Sequence, residues 1–371
     1  MIIVGAGISG ISAAVHLSRS CPQKKVGMLE HRENIGGTWD LFKYPGIRSD
    51  SDMHTLGFSF KPWNAQKSIA DGPSIMQYLN ETVEEYGLKE KIRFSQRVVA
   101  ANWSSADALW RLTVYADGFQ KQMNCNFLFM CSGYYSYDEA YDAQIPGMDS
   151  FTGHLVHPQF WPERLDYRGK RVVVIGSGAT AVTIVPSMAE GGAQVTMLQR
   201  SPTYMVSMPD QDVIANFLRK VLPDSWAYAL TRFKNVRLQD FFYKRARNAP
   251  EKVRAQLLRL VKRMLPEDYD VEKHFTPSYN PWDQRLCLVP NSDLFKAIKN
   301  GSVEVVTDEI DSVTSDGLQL KSGMKLPADI LVTATGLKLS VLADVPFTVD
   351  GQAIDFSSAF TYRGMMYSEV P

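Results

Sequence analysis

The hydrophobic and polar positions of this chain repeat one design twice. An apolar run, Ile2-Ile3-Val4, stops at a glycine turn, Gly5-Ala6-Gly7-Ile8-Ser9-Gly10. A small-residue stretch with helical spacing follows, then a second apolar run ending Met28-Leu29-Glu30. From Arg171 the order recurs: Val172-Val173-Val174-Ile175, the turn Gly176-Ser177-Gly178-Ala179-Thr180-Ala181, and an apolar run ending Met197-Leu198-Gln199-Arg200. Short continuous apolar runs bounded by glycine read as buried parallel strands. Each block therefore predicts the opening strand, helix and strand of a doubly wound sheet, which makes an internal duplication of dinucleotide folds.

Between the blocks the period changes. Arg97 to Met130 contains alternating runs such as Trp110-Arg111-Leu112-Thr113-Val114-Tyr115, which predict half-buried strands. Phe127-Leu128-Phe129-Met130-Cys131-Ser132-Gly133 reads as a buried strand ending on glycine, and Ile330-Leu331-Val332-Thr333-Ala334-Thr335-Gly336 repeats that design, so both are expected to be crossovers between domains. Tyr134 to Ser150 is turn-rich and reads as a linker. The expected fold is α/β, with two Rossmann-like dinucleotide-binding domains at 1–142 and 143–336 and a helical insert at about 211–281 in the second. Residues 337–371 are expected to return to the first domain.

Composition narrows the class. The 40 basic and 40 acidic residues cancel, so no bulk field draws the chain to nucleic acid. Cys21, Cys125, Cys131 and Cys287 form no C-x-x-C pair, which argues against a zinc ribbon or a dithiol centre and fits a reducing compartment. Met1 to Leu17 is apolar but lacks a basic leader region and carries spaced glycines, so it reads as a fold element and not as an export signal. No apolar run is long enough to span a bilayer. The expected location is the cytoplasm. Arg219 to Arg263 departs from the average, with 13 Lys and Arg against 3 acidic residues. It reads as the solvated outer face of a helical subdomain. A peripheral membrane contact through this basic amphipathic insert is the alternative.

The two glycine turns carry candidate chemistry. Gly5 permits a tight turn, Gly7 lets backbone approach a pyrophosphate, and Gly10 allows close packing of helix on strand. The helix N-terminus then presents free N–H groups and its positive dipole end to the phosphates. Glu30 stands twenty residues past Gly10, where a carboxylate accepts from a ribose 2′-hydroxyl. In the second block Gly176, Ser177, Gly178, Ala179, Thr180 and Ala181 form the turn, and Arg200 replaces the acid. A carboxylate there would repel a 2′-phosphate, whereas arginine binds it bidentately and Ser201 adds a hydroxyl. The first site is therefore expected to prefer a dinucleotide with a free adenosine ribose, and the second to prefer NADPH.

Two further segments carry a resemblance. Phe151-Thr152-Gly153-His154-Leu155-Val156-His157-Pro158-Gln159-Phe160-Trp161-Pro162 matches F-x-G-x-x-x-H-x-x-x-W-P, and Gly36-Gly37-Thr38-Trp39 with Tyr44-Pro45-Gly46 and Asp50 matches a second signature. Together they resemble the type I Baeyer–Villiger monooxygenases. Gly46-Ile47-Arg48-Ser49-Asp50-Ser51-Asp52-Met53 and Tyr279-Asn280-Pro281-Trp282-Asp283-Gln284-Arg285-Leu286-Cys287 look similar to the ethionamide-activating members.

That resemblance implies FAD on the first fold and NADPH on the second. It implies reduction of FAD by hydride transfer, oxygen uptake to a peroxyflavin, and attack on a ketone to give an ester, or on sulfur in sulfides and thiocarbonyls. It further implies that Arg285 is the active-site cation and Asp50 the aspartate that positions it. The expected cofactor-binding set also includes Ser9, Gly37, Thr38, Trp39, Asp40, Arg48, Ser49 and Val98. Phe151, Gly153, His157 and Trp161 are the motif residues, with His157 expected to act as a hinge. Many relatives carry lysine before the arginine; here Gln284 stands there, which weakens the local positive field. No Ser-His-Asp set, H-E-x-x-H or P-loop is present, so no metal is expected. Relatives of the resembled family extend beyond the position of Pro371, so the first domain is expected to need a further C-terminal part, and apolar surface near Phe360 to Tyr367 to lie exposed. The alternatives are an N-hydroxylating or sulfur-oxidising flavin monooxygenase without ketone activity, and an inactive dinucleotide-binding fragment.

Overall fold

In the computed structural model, which describes residues 1–368 and 370–371, the first apolar run forms the strand Ile2–Val4. It lies between the parallel strands Gly27–Leu29 and Leu128–Met130, with Ile92–Arg93 beyond. All three of its residues are buried because both faces are covered. The helix Ile8–Ser20 follows the glycine turn and buries Gly10, Ile11, Ala14 and Val15, the helical spacing read from the sequence. On the other side Ile2 and Val4 pack with Trp110, Leu112 and Val114 of an antiparallel meander. That meander runs Arg97–Ser104, Leu109–Ala116, Phe119–Cys125 and is extended by Phe347–Val349 and Gln352–Ala353. Leu109–Ala116 alternates buried and accessible positions, which is the period-2 pattern of a half-covered sheet. Each fully buried aliphatic side chain of this core stabilises it by about 1.5–3 kcal/mol.

The second apolar block builds a five-stranded parallel sheet. Its order is Val303–Thr307, Gln194–Gln199, Arg171–Ile175, Ile330–Thr333 and His154–Val156. The helix Ala179–Glu190 follows the glycine turn. Val173, Ile175, Leu198 and Leu331 pack with Val313, Leu318 and Leu320 of the antiparallel ribbon Ile310–Thr314, Gly317–Leu320 and Lys325–Pro327. The strands Tyr204–Met208 and Leu286–Pro290 pair in parallel. Between them in sequence lie the insert helices Val213–Val221, Asp224–Asn248, Pro250–Met264 and Val271–Phe275.

Packing divides the chain into two units. The first is Met1–Leu41, Pro73–Glu139 and Lys338–Pro371; the second is Phe42–Gly72 and Ala140–Leu337. Residues 42–72 thus pack with the second parallel sheet although they follow the first glycine turn in sequence. Their loop enters on Tyr44-Pro45-Gly46, and a Cβ on Gly46 would sit 2.0 Å from the Ser187 hydroxyl of the helix Ala179–Glu190.

Phe360, Tyr362, Met365 and Met366 are exposed. The outer side of the insert carries exposed Val213, Ile214, Phe217, Trp226, Leu230, Phe233 and Phe241 beside its exposed lysines and arginines. The inward sides of these helices are held by polar contacts, described below. No helix among the described residues is long and apolar enough to cross a membrane.

Candidate functional site

The two glycine turns close on equivalent contacts. A Cβ on Gly5 would meet the Cys131 carbonyl oxygen at 2.3 Å, and one on Gly176 would meet that of Ala334 at 2.4 Å. Both carbonyls belong to the strand-to-glycine exits, so each sheet supports its own turn in the same way. Gly10 is excluded from larger residues by the Gly5 carbonyl, 2.0 Å from where its Cβ would be, which draws helix onto strand.

In the first unit the turn opens on a cleft of about 440 Å³. Of the expected residues, Gly5, Gly7, Ser9, Glu30, Gly37, Thr38, Trp39 and Val98 line it. Gly10, Asp40, Arg48, Ser49 and Asp50 do not. Gly10 stands behind the turn, and Asp40 is buried with its carboxylate 2.8 Å from the Arg32 guanidinium.

Glu30 is almost fully buried at the cleft wall. Its Oε2 accepts from the Ala6 N–H at 2.7 Å, and its Oε1 accepts from the Arg32 N–H at 3.0 Å beside His31 Nδ1 at 3.1 Å. Burial alone would raise its pKa, but the hydrogen bonds from His31, Arg32 and Ala6 outweigh it and hold the carboxyl below its ordinary 4.5. Glu30 is therefore a fixed anion at neutral pH, with lone-pair capacity left on Oε2 for a sugar hydroxyl. Because the folded value is depressed, its stabilising contribution is present above about pH 4.5 and is lost as pH falls through the lower value. Wild type is expected to lose more melting temperature than Glu30→Gln between about pH 7 and pH 3. Parallel losses in scanning calorimetry would remove Glu30 from this role.

The cleft also holds residues the sequence reading did not single out. Gln96 lies at its wall, 8% exposed, and its Oε1 has no hydrogen-bond partner. A buried acceptor left unpaired costs about 1–3 kcal/mol, so it fits a donor supplied by a ligand. Tyr137 reaches in from the segment after Gly133. Its hydroxyl bonds the Thr38 side chain, burial raises its pKa, and its ring meets His31 edge-on at 5.3 Å. Arg97 pairs with Asp138 at 2.7 Å and Lys338 pairs with Glu139 along the same wall. The one available signal was the tyrosine-rich run following a strand that ends on glycine. Cys131 also lines the cleft, and burial pushes its thiol up to about 12, so it remains protonated.

In the second unit, Arg200 follows the strand Gln194–Gln199 and is exposed, as is Ser201. The Ser177 hydroxyl lies 2.9 Å from that of Thr203 and 3.2 Å from the Ser201 carbonyl, which ties the glycine turn to the Arg200 loop. Glu309 is nearby. Its carboxyl is held below the ordinary value, by Lys321 first and by the Arg200 charge among weaker causes.

Asp50 and Arg285, 235 residues apart in sequence, meet as an ion pair within the second unit. Asp50 is carried by the 42–72 loop, which is fastened by the Ser49 N–H bonding the Ala70 carbonyl at 2.8 Å. Arg285 immediately precedes the strand Leu286–Pro290. Its side chain is 61% exposed and that of Asp50 25%, so the pair sits at a solvent-accessible surface. Two residues before Asp50, Arg48 pairs with Asp293 at 2.5 Å, and its Nη2 is buried with no hydrogen-bond partner. Tyr44 lies within the influence of Asp50, Arg48 and Arg285 and bonds Thr180 of the second glycine turn. Burial first, and then Asp50, push its hydroxyl up to about 12. The structure thus joins Thr180, Tyr44, Arg48, Asp50 and Arg285 into one polar cluster. Gln284 is exposed.

The motif residues have structural partners. Phe151 packs on the second core, and a Cβ on Gly153 would strike the Asp329 carbonyl at 2.4 Å. His157 Nδ1 accepts from the Gln159 N–H at 3.2 Å, and Nε2 lies 3.3 Å from the Gly336 carbonyl. These two contacts specify the neutral ring with its proton on Nε2. Burial lowers the His157 pKa against the opposing effect of Gly336. Trp161 is half-buried.

A glycine turn with a buried glutamate on one parallel sheet, and a second turn with arginine on another, define a protein with two dinucleotide folds. The chain belongs to the flavin-binding monooxygenase-like family, whose model matches residues 1–347. It is 54% identical to the FAD-containing monooxygenase EthA of Mycobacterium tuberculosis over 372 residues, covering 100% of this chain and 76% of that protein. It is 52% identical over 374 residues to the probable FAD-binding monooxygenase AlmA of Acinetobacter baylyi, covering 100% of this chain and 75% of that one. Among solved structures, oxidised steroid monooxygenase bound to NADP superposes with TM-score 0.76 at 24% identity, covering 93% of this chain and 73% of that one. Cyclohexanone monooxygenase bound to ε-caprolactone gives TM-score 0.75 at 23% identity, covering 91% and 73%. At these identities the solved structures establish the α/β fold of two dinucleotide domains.

Proposed function

We propose that this monooxygenase uses FAD, NADPH and O2 to insert one oxygen atom into ketones and to oxidise sulfur in sulfides and thiocarbonyls. The carrying observation is the Asp50–Arg285 pair, assembled from distant segments within the unit that holds the arginine-terminated glycine turn. In the first unit, Glu30, the Gly7 backbone, Val98 and the orphaned Gln96 acceptor fit the adenosine and pyrophosphate of FAD. In the second, Arg200 and Ser201 fit the 2′-phosphate of NADPH. Bound flavin would supply hydride acceptance and oxygen activation.

The chain's own residues have definable tasks. Arg285 stays protonated at every working pH, so it can hold a developing oxyanion without giving up a proton. Asp50 pairs with the guanidinium and fixes its position. Tyr44 fastens that loop to Thr180. His157 we assign a positioning role, tying Pro158–Phe160 to the strand exit at Gly336. The relatives named as FAD-containing monooxygenases and the solved relative holding ε-caprolactone, the ring-expanded ester of cyclohexanone, support this choice of reaction.

The test is product analysis with NADPH across paired ketones and sulfides. Esters from ketones and sulfoxides from sulfides are expected. Sulfoxides with no ester from any ketone would replace this reading with a sulfur-oxidising enzyme.

A further inference from the structure

Two helices of the insert are inside out. A surface helix of a globular protein turns its apolar stripe to the core and its charges to water. Here the helix Val213–Val221 shows Val213, Ile214, Phe217 and Val221 to the outside, with Val213 73% exposed. The following helix, Asp224–Asn248, buries only Ala227, Thr231, Asn235 and Ala246, all small or polar. Its large apolar residues are exposed: Trp226, Leu230 and Phe233 follow at spacings of four and three, and Phe241 lies eight residues further on, with Phe233 63% exposed.

Polar bonds hold the inward side. Lys234 Nζ meets Asp212 at 2.6 Å, and Asn235 donates to Asp52 at 3.0 Å. Arg232 donates to the His54 and Thr55 carbonyls at 2.9 and 3.0 Å, and Arg219 donates to the Ala65 carbonyl at 3.0 Å. These contacts fix which way the helices face, so the outward apolar side is built into the fold and is not a rotated surface helix.

Basic residues are interleaved with the aromatics. Lys220, Arg237, Lys244 and Arg245 are exposed, and Arg237 lies 5.4 Å over the Phe233 ring. The adjoining helix Pro250–Met264 adds exposed Lys252, Arg259, Lys262 and Arg263. Across 219–263 there are 13 basic residues against 3 acidic. Aromatic side chains that enter the headgroup boundary, ringed by cations, match an anionic lipid surface. A second copy of this chain fits poorly, because an isologous contact would set this patch against itself and oppose like charges. The helix Asp224–Asn248, at 25 residues, would be about 37 Å long. It lacks the continuous apolar character of a span, so it would lie along the surface.

We propose that the insert docks this protein on an anionic phospholipid membrane, with Phe217, Phe233 and Phe241 entering the interface and the surrounding lysines and arginines meeting headgroup phosphates. The inference stands apart from the oxygenation chemistry.

The experiment is co-sedimentation of the full chain with vesicles of phosphatidylcholine alone and of phosphatidylcholine mixed with phosphatidylglycerol. Partition onto the mixed vesicles is expected to be at least about tenfold stronger. It should weaken several-fold when salt is raised to about 0.5 M. The triple variant Phe217→Glu, Phe233→Glu, Phe241→Glu should lose about tenfold or more of the binding while keeping the wild-type melting temperature, since these side chains are exposed. Lys220→Glu with Arg237→Glu should abolish the preference for anionic vesicles. Equal binding to both vesicle types, binding unaffected by the phenylalanine variant, or a dimer in light scattering that the variant dissociates without any vesicle binding would each overturn the proposal.

Discussion

Arg285→Ala is expected to keep NADPH-driven bleaching of the flavin absorbance and to lower oxygenated product by about 100- to 1,000-fold. That is the usual cost of removing one donor to a developing oxyanion. The separation follows from the structure. The Arg285 side chain is 61% exposed and its partner is Asp50, so deleting it removes a largely solvated ion pair worth at most about 1 kcal/mol. The protein should therefore fold normally, and lost activity cannot be traced to lost structure. Arg285→Lys should recover little, because an ammonium is a point charge without the planar fork of donors that a guanidinium presents. Asp50→Ala should fall between, since the cation survives without its Asp50 partner. Product formation by Arg285→Ala within about threefold of wild type would place the oxyanion-binding role elsewhere.

Arg200→Ala is expected to lower kcat/KM for NADPH by about 10- to 150-fold and to leave that for NADH nearly unchanged. A hydrogen bond to a charged group contributes about 1.5–3 kcal/mol, and each 1.4 kcal/mol is a factor of ten. Arg200 is exposed, so its loss should not disturb the sheet. Steady-state assays with both nucleotides decide it. An equal fall with NADPH and NADH would make Arg200 a general structural residue, and a wild-type preference for NADH would remove the assignment.

Much of the fold was legible because it rests on local pattern. The two glycine turns, the alternation of Leu109–Ala116 and the paired exits at Gly133 and Gly336 are each set by residues within a few positions of one another. Glu30 was legible for the same reason, since its distance from Gly10 is fixed by one helix and one strand. What the pattern could not show was tertiary. Residues 42–72 follow the first turn in sequence, yet they pack against the helix Ala179–Glu190 through Gly46, and no local signal announces that choice. The resemblance implied Asp50 beside Arg285, but their pairing within one unit needed the structure.

Side-chain direction was the other blind spot. Asp40 lies in the signature segment, and only the structure shows its carboxylate beside Arg32. Tyr137 and Gln96 went unremarked because their neighbours in sequence carry no periodic signal, although both face the cleft. In the insert, helical spacing and basic charge were both visible. Which side faced outward was not, because it depends on Lys234, Asn235 and Arg232 finding partners far away in sequence.

The most direct measurement of the oxygen-insertion assignment is isotopic. Turnover of a cyclic ketone with NADPH under 18O2 is expected to yield a lactone carrying one 18O atom, with one NADPH consumed for each lactone. Unlabelled lactone, or NADPH consumption that ends only in hydrogen peroxide with every ketone tried, would contradict it.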